Sequence, residues 1–196
     1  MNYTSKIQKA IKFAAKTHDL YQKQMRKGKN IAYITHPLTV GIILALAGSP
    51  EDVIVAGILH DTIEDSIAAK KVTAEMLTER FGSQVADLVL SVTETDKSLS
   101  WDERKQEALE HIKDYSQESL LIKSADIISN MSETLDDYLR YGEEVFARFN
   151  APKEKVVDHQ FKTINIIIDL WPENPLAPDL LRLADGLKSL LETIQF

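Results

Sequence analysis

Apolar residues recur at intervals of three and four along nearly the whole chain. Ile7, Ala10, Ile11, Ala14 and His18 fall on one face of an amphipathic helix. The polar, glycine-containing stretch 22–33 breaks that rhythm and reads as a loop. Pro37 suits the first turn of a second helix, which runs through Val40, Ile43 and Leu44 to Gly48. Ser49, Pro50, Glu51 and Asp52 then spell a helix start, with Ser49 as the expected cap and acids favoured by the helix dipole. The helix that follows carries Val53, Ile54, Ala56, Ile58 and Leu59, is apolar almost all round, and is therefore expected to be buried.

Further along, Thr73 and Gly82 bracket a short helix, and Val85, Leu88 and Val89 belong to the next. Ser100 and Glu103 form a capping box before another. Helices are expected over 120–131, 136–149, 152–170 and 176–194. The β-branched run 163–168 stays helical in this reading, because a lone strand has no partner. The expected fold class is all-α. The chain is expected to form one domain over 1–196, with a core of about 6–170 and a C-terminal helix over 175–196.

Composition narrows the function. The 196 residues include no cysteine, which removes disulfides, thiolate metal sites and a thiol nucleophile. No apolar run is long enough for a membrane span, and the first residues lack a signal-peptide core, so a cytoplasmic protein without membrane partners is expected. A net charge of −7 argues against a nucleic-acid partner. Residues 1–40 nevertheless carry eight Lys/Arg against the single acid Asp19. Such a basic start on an acidic body suits a small polyanion, although Lys6, Lys9, Lys12 and Lys16 also fit a solvated helix face.

The distinctive stretch is His60-Asp61-Thr62-Ile63-Glu64-Asp65, one histidine and three carboxylates at the end of a buried helix. Unpaired buried carboxylates are too costly for a folded domain, so these groups must be solvated, protonated or bound to a cation. His36 opens an apolar helix, and Lys123, Asp126 and Asn130 form a polar stripe along another. Taken singly, His36 reads as a cap and Lys123–Asp126 as an ion pair. Taken together, His36, His60, Asp61 and Asp126 supply two nitrogens and two carboxylates, a set that can hold a divalent cation with positions left for water and substrate. Such a set leaves manganese, iron, zinc and nickel open. Glu64 and Asp65, about one helical turn further on, are placed to orient or deprotonate a water.

These motifs resemble the HD-domain phosphohydrolases. More narrowly, His36-Pro37, the run from His60 to Asp65, Asp126 with Asn130, and Arg26-Lys27 before Tyr33-Ile34-Thr35 resemble the hydrolase domain of RelA/SpoT-type alarmone enzymes and their small stand-alone relatives. The likeness covers residues 6 to about 135. It implies an all-α HD bundle of roughly eight to ten helices, with manganese held by His36, His60, Asp61 and Asp126. It implies that Glu64 and Asp65 act on the attacking water, that Arg26 and Lys27 line a nucleotide pocket, that Lys97 faces phosphates and that Asn130 faces the nucleoside. The implied reaction removes pyrophosphate from the 3′ position of guanosine tetra- or pentaphosphate. Alternatives are hydrolysis of another nucleotide, such as the 2′-phosphate of NADPH or a nucleoside monophosphate, and a nucleotide sensor without catalysis. The chain departs from the family where Ile127 follows Asp126 in place of a basic residue and around Asp158-His159-Gln160. Arg182-Leu183-Ala184-Asp185 imitates the family's aspartate signature but lies beyond the matching region. His18 is expected in the core, and His111 and His159 at the surface.

Overall fold

The computed structural model describes residues 3–94 and 98–192, without the side chain of Glu192. Among these residues the chain is helical, and its one strand-like feature is an isolated antiparallel bridge between Met25 and Ala32 inside the 22–33 loop. Helix α1 (Ser5–Ala15) is capped by Thr4, whose hydroxyl accepts from the Ile7 amide at 3.2 Å. A π-helical turn (Lys16–Tyr21) continues it. Helices α2 (Thr35–Leu46), α3 (Glu51–Leu59) and the single turn α4 (Thr62–Asp65) follow. Then come α5 (Ala74–Phe81), α6 (Ser83–Val92), α7 (Trp101–His111) and the 25-residue α8 (Gln117–Tyr141). Helices α9 (Lys153–Leu170) and α10 (Ala177–Glu192) close the chain.

Helix α3 is the axis of the first core. Its residues Val53 to Leu59 are all buried, and it packs on α1, α2, α6 and α8. Each large aliphatic side chain removed from water there contributes about 1.5–3 kcal/mol. Helices α2 and α3 approach closely because two glycines face the contact. A β-carbon on Gly57 would sit 2.3 Å from Leu44 Cδ1, and one on Gly41 would sit 2.6 Å from Ile58 Cγ1. The second core lies between α8, α9 and α10. Helix α8 serves both, giving Leu121, Ile122 and Ala125 to the first and Leu120, Ile127 and Met131 to the second.

Several caps behave as their sequence suggests. Thr73 accepts from the Met76 amide, Gly82 ends α5 with φ +94°, and Ser100 and Glu103 complete the capping box of α7. Ser49 does not cap α3. Pro50, with extended backbone, occupies that position, and the Ser49 hydroxyl is buried without a hydrogen-bond partner among the described residues. The helix expected over 136–149 is also different. Its first turn belongs to α8, which runs on to Tyr141, and 3-10 turns (Gly142–Arg148) begin at Gly142, whose φ is +61°. The run 163–168 is helical, within α9.

Candidate metal centre

The glycine contact between α2 and α3 sets the site. His36 lies in the first turn of α2 and His60 just past the end of α3, so the close crossing brings their Nε2 atoms to 3.3 Å. Helix α8 lies across both and delivers Asp126, whose Oδ1 is 3.4 Å from His36 Nε2 and 4.0 Å from His60 Nε2. Asp61 Oδ2 is 3.1 Å from His60 Nε2 and 3.7 Å from His36 Nε2. Ligand atoms of His36, His60 and Asp126 all lie within 4.8 Å of one another, a group suited to a divalent metal ion.

The surroundings fit an ion here. His60 Nδ1 lies 2.8 Å from the Gly57 carbonyl and must donate to it, which leaves Nε2 to face the cluster. His36 Nδ1 is likewise engaged, 2.9 Å from the Ser129 hydroxyl. Burial alone would lower the His60 pKa, but the Asp61 and Asp126 carboxylates raise it to about 9. Burial alone would raise the Asp126 carboxyl, yet Lys123 and the two histidines hold it well below the usual carboxylate range. Asp61 is also held low against the effect of burial, chiefly by His60. Carboxylates that favour a proton on an imidazole favour a divalent cation in the same place. Tyr33, its pKa raised first by burial and then by Asp61, keeps its proton and donates it to Asp61 Oδ2 at 2.5 Å.

Between α3 and α4 the helix breaks, and Asp61 takes φ −90° and ψ −3°, in the sparsely populated bridge region. Glu64 and Asp65 therefore sit on a separate turn rather than on a continuation of α3. Glu64 lines the cleft above the cluster, and Asp65 Oδ2 accepts from Gln24 Nε2 at 2.8 Å.

That cleft has a volume of about 550 Å³, and among the described residues it is lined by seven basic and five acidic side chains. Arg26, Lys27 and Lys29 are the part of the basic N-terminal segment that reaches it. Lys9, Lys12 and Lys16 are exposed, and Lys6 pairs with Asp52 at 2.5 Å. Arg26 is held by Glu133 and donates to Asn130 Oδ1 at 2.8 Å, and Asn130 Nδ2 donates to Asp126 Oδ1 at 2.7 Å. The polar stripe on α8 is thus both a structural network and a wall of the site. Lys97 lies outside the described residues. Asp185 is exposed on α10, away from the cluster.

Sequence reasoning missed the far wall. Arg104 and Lys105, gripping Glu94, line the cleft together with Arg148 and His159. Arg104 and Lys105 follow directly on the α7 capping box, which was the available signal. His159, expected at the surface, is only 9% exposed, packed edge-on against Trp101 at 6.1 Å. His18 is in the core as expected, and His111 is exposed.

Residues 10–156 match the family described as HD domain. A Xenopus tropicalis protein named guanosine-3′,5′-bis(diphosphate) 3′-pyrophosphohydrolase MESH1 is 32% identical over 179 residues, covering 83% of this chain and 96% of the relative. A Myxococcus xanthus GTP pyrophosphokinase is 42% identical over 138 residues, and there the match takes up 66% of this chain but 17% of the relative. A solved structure described as a metazoan ortholog of SpoT that hydrolyses ppGpp superposes with a TM-score of 0.69, covering 100% of this chain and 98% of its own; at 24% identity the likeness is one of fold. No helix among the described residues is long and apolar enough to cross a membrane.

Proposed function

The chain belongs to the HD-domain family, and from that membership we propose that it is a metal-dependent hydrolase releasing pyrophosphate from the 3′ position of guanosine tetra- or pentaphosphate. The observation that carries this reading is the meeting of His36, His60 and Asp126 at the floor of a cation-lined cleft. The names of relatives matched over 96% and 69% of their own length supply the substrate.

In this reading His36, His60, Asp61 and Asp126 hold the ion, and manganese suits their mixture of imidazole and carboxylate. The ion lowers the pKa of water and offsets negative charge on phosphate oxygens. Glu64 and Asp65 orient the attacking water and take its proton. The bond between the ribose 3′ oxygen and its phosphorus breaks, and the ribose oxygen leaves with a proton. Lys27, on the exposed lip of the loop, meets the nucleotide with Arg26 and Asn130 beside it. Arg104 and Lys105 add positive charge on the opposite wall, where charge develops in the transition state.

The test is release of pyrophosphate from guanosine tetraphosphate by the manganese-loaded protein. Turnover is expected, with Lys27→Ala acting mainly through KM. Turnover confined to other phosphate esters would overturn the substrate assignment.

A further inference from the structure

Behind Asp65 runs a short chain of hydrogen bonds that the metal centre does not use. His18, in the π-helical turn after α1, is fully buried, and its Nδ1 lies 2.8 Å from Gln24 Oε1. Gln24 Nε2 in turn lies 2.8 Å from Asp65 Oδ2. Gln24 is launched from a pinned backbone. Its amide donates to the His18 carbonyl at 2.8 Å, its carbonyl accepts from the Tyr33 amide at 2.9 Å, and the turn is reversed by Lys23 at φ +51°. π-Helical turns are uncommon and cluster at functional sites.

The polarity of the chain follows from Asp65. An ionised carboxylate can only accept, so Gln24 must turn its amide NH2 toward it. Its carbonyl oxygen then faces His18, so the imidazole must carry its proton on Nδ1. His18 Nε2 is buried and has no hydrogen-bond partner among the described residues, and the ring lies tilted at 47° to Tyr33 with centroids 5.1 Å apart. A lone pair can stay unpaired there, whereas a second proton would be a buried donor without an acceptor. Burial lowers the His18 pKa, which keeps the ring neutral.

We propose that Gln24 and His18 are positioning residues for Asp65, with the ring locked as its Nδ1–H tautomer so that Gln24 presents only N–H groups to the carboxylate. This rests on the reading of Asp65 as a group that handles the attacking water. The flipped amide would set oxygen against oxygen, so the tautomer of a buried histidine keeps an N–H donor turned toward Asp65 Oδ2 and fixes where that carboxylate sits.

Two measurements test it. Long-range 15N NMR of the full-length wild-type protein, loaded with diamagnetic zinc, should show His18 protonated at Nδ1, and an Nε2–H tautomer would overturn the proposal. On manganese-loaded protein with guanosine tetraphosphate, Gln24→Leu should lower kcat about tenfold with KM changed less than twofold. Gln24→Glu keeps the length but loses the donor, and it should lose at least as much. Neither should have further effect in an Asp65→Asn background. Wild-type kcat in Gln24→Glu, or an undiminished effect beside Asp65→Asn, would refute the relay while leaving the role of Asp65 standing. Full turnover by Asp65→Asn itself would instead remove the reading on which the relay depends, and the relay with it.

Discussion

Lys123 Nζ lies 2.8 Å from Asp126 Oδ2, while the other oxygen of the same carboxylate faces His36 Nε2 at 3.4 Å. One group thus belongs to an ion pair and to the candidate metal cluster at once, and the two are linked through its charge. Burial would lower the Lys123 pKa, but Asp126 raises it above the ordinary range, so the ammonium is present throughout the neutral region. Lys123→Met leaves Asp126 charged and half-paired. The metal-free variant should lose about 1–3 kcal/mol, the cost of a charged group without its partner. Added manganese should recover part of that loss, because the ion supplies the missing positive charge. Thermal melts with and without metal check this.

Asp126→Ala should abolish stoichiometric metal binding, and Asp185→Ala should leave it intact. The first residue stands in the cluster, and the second is exposed on α10. Metal analysis after dialysis gives the answer, and the opposite outcome would transfer the ligand role to Asp185.

Glu64→Gln and Asp65→Asn should retain the metal and lose about 10²–10⁴ in kcat, the usual range for an acid–base group. Loss of metal from either variant would place that residue on the ion instead.

His159 gives a pH signature. Burial, aided by Lys105 and Lys123, pushes its folded-state pKa down to about 3, against 6.5 for an ordinary imidazole. Between those values the unfolded chain binds the proton and the folded chain does not. The stability this residue contributes is therefore complete above pH 6.5 and is lost as pH falls toward 3, by about 1.4 kcal/mol per pH unit. His159→Phe removes the titration. Urea melts between pH 6 and 4 should show a shallower decline for the variant than for the wild type.

Gly57→Ala should destabilise by about 1–3 kcal/mol, since Leu44 must move to admit a methyl group 2.3 Å from its Cδ1. It should also weaken manganese binding, by spreading α2 from α3 and His36 from His60. Denaturant midpoints and calorimetric titration measure the two effects.

Much of this was legible in the sequence, for local reasons. The cap residues Thr73 and Ser100 act within three positions of themselves, and the unbroken apolar run of α3 left burial as its only outcome. His36, His60 and Asp126 were visible because ligand-type residues on apolar helices need an explanation. What escaped depends on contacts between distant segments. Arg148 faces the cleft because Gly142 ends α8 and turns the chain back, and Glu133 matters because Arg26 and Lys29 reach it from the 22–33 loop. His159 was misplaced because its burial comes from Trp101, 58 positions earlier in the sequence. Ser49 failed as a cap because Pro50, with its fixed φ, took the position.

The spacing of α2 and α3 is set by two absent β-carbons, at Gly41 and Gly57. The gap between the two imidazoles is therefore a dimension of the scaffold, gauged by how nearly two backbones can touch. A divalent cation held by His36, His60 and Asp126 would have to fit that gauge as well as the chemistry of its ligands. Preference among ions can then drift in evolution through residues that never meet the ion, while every coordinating side chain stays the same.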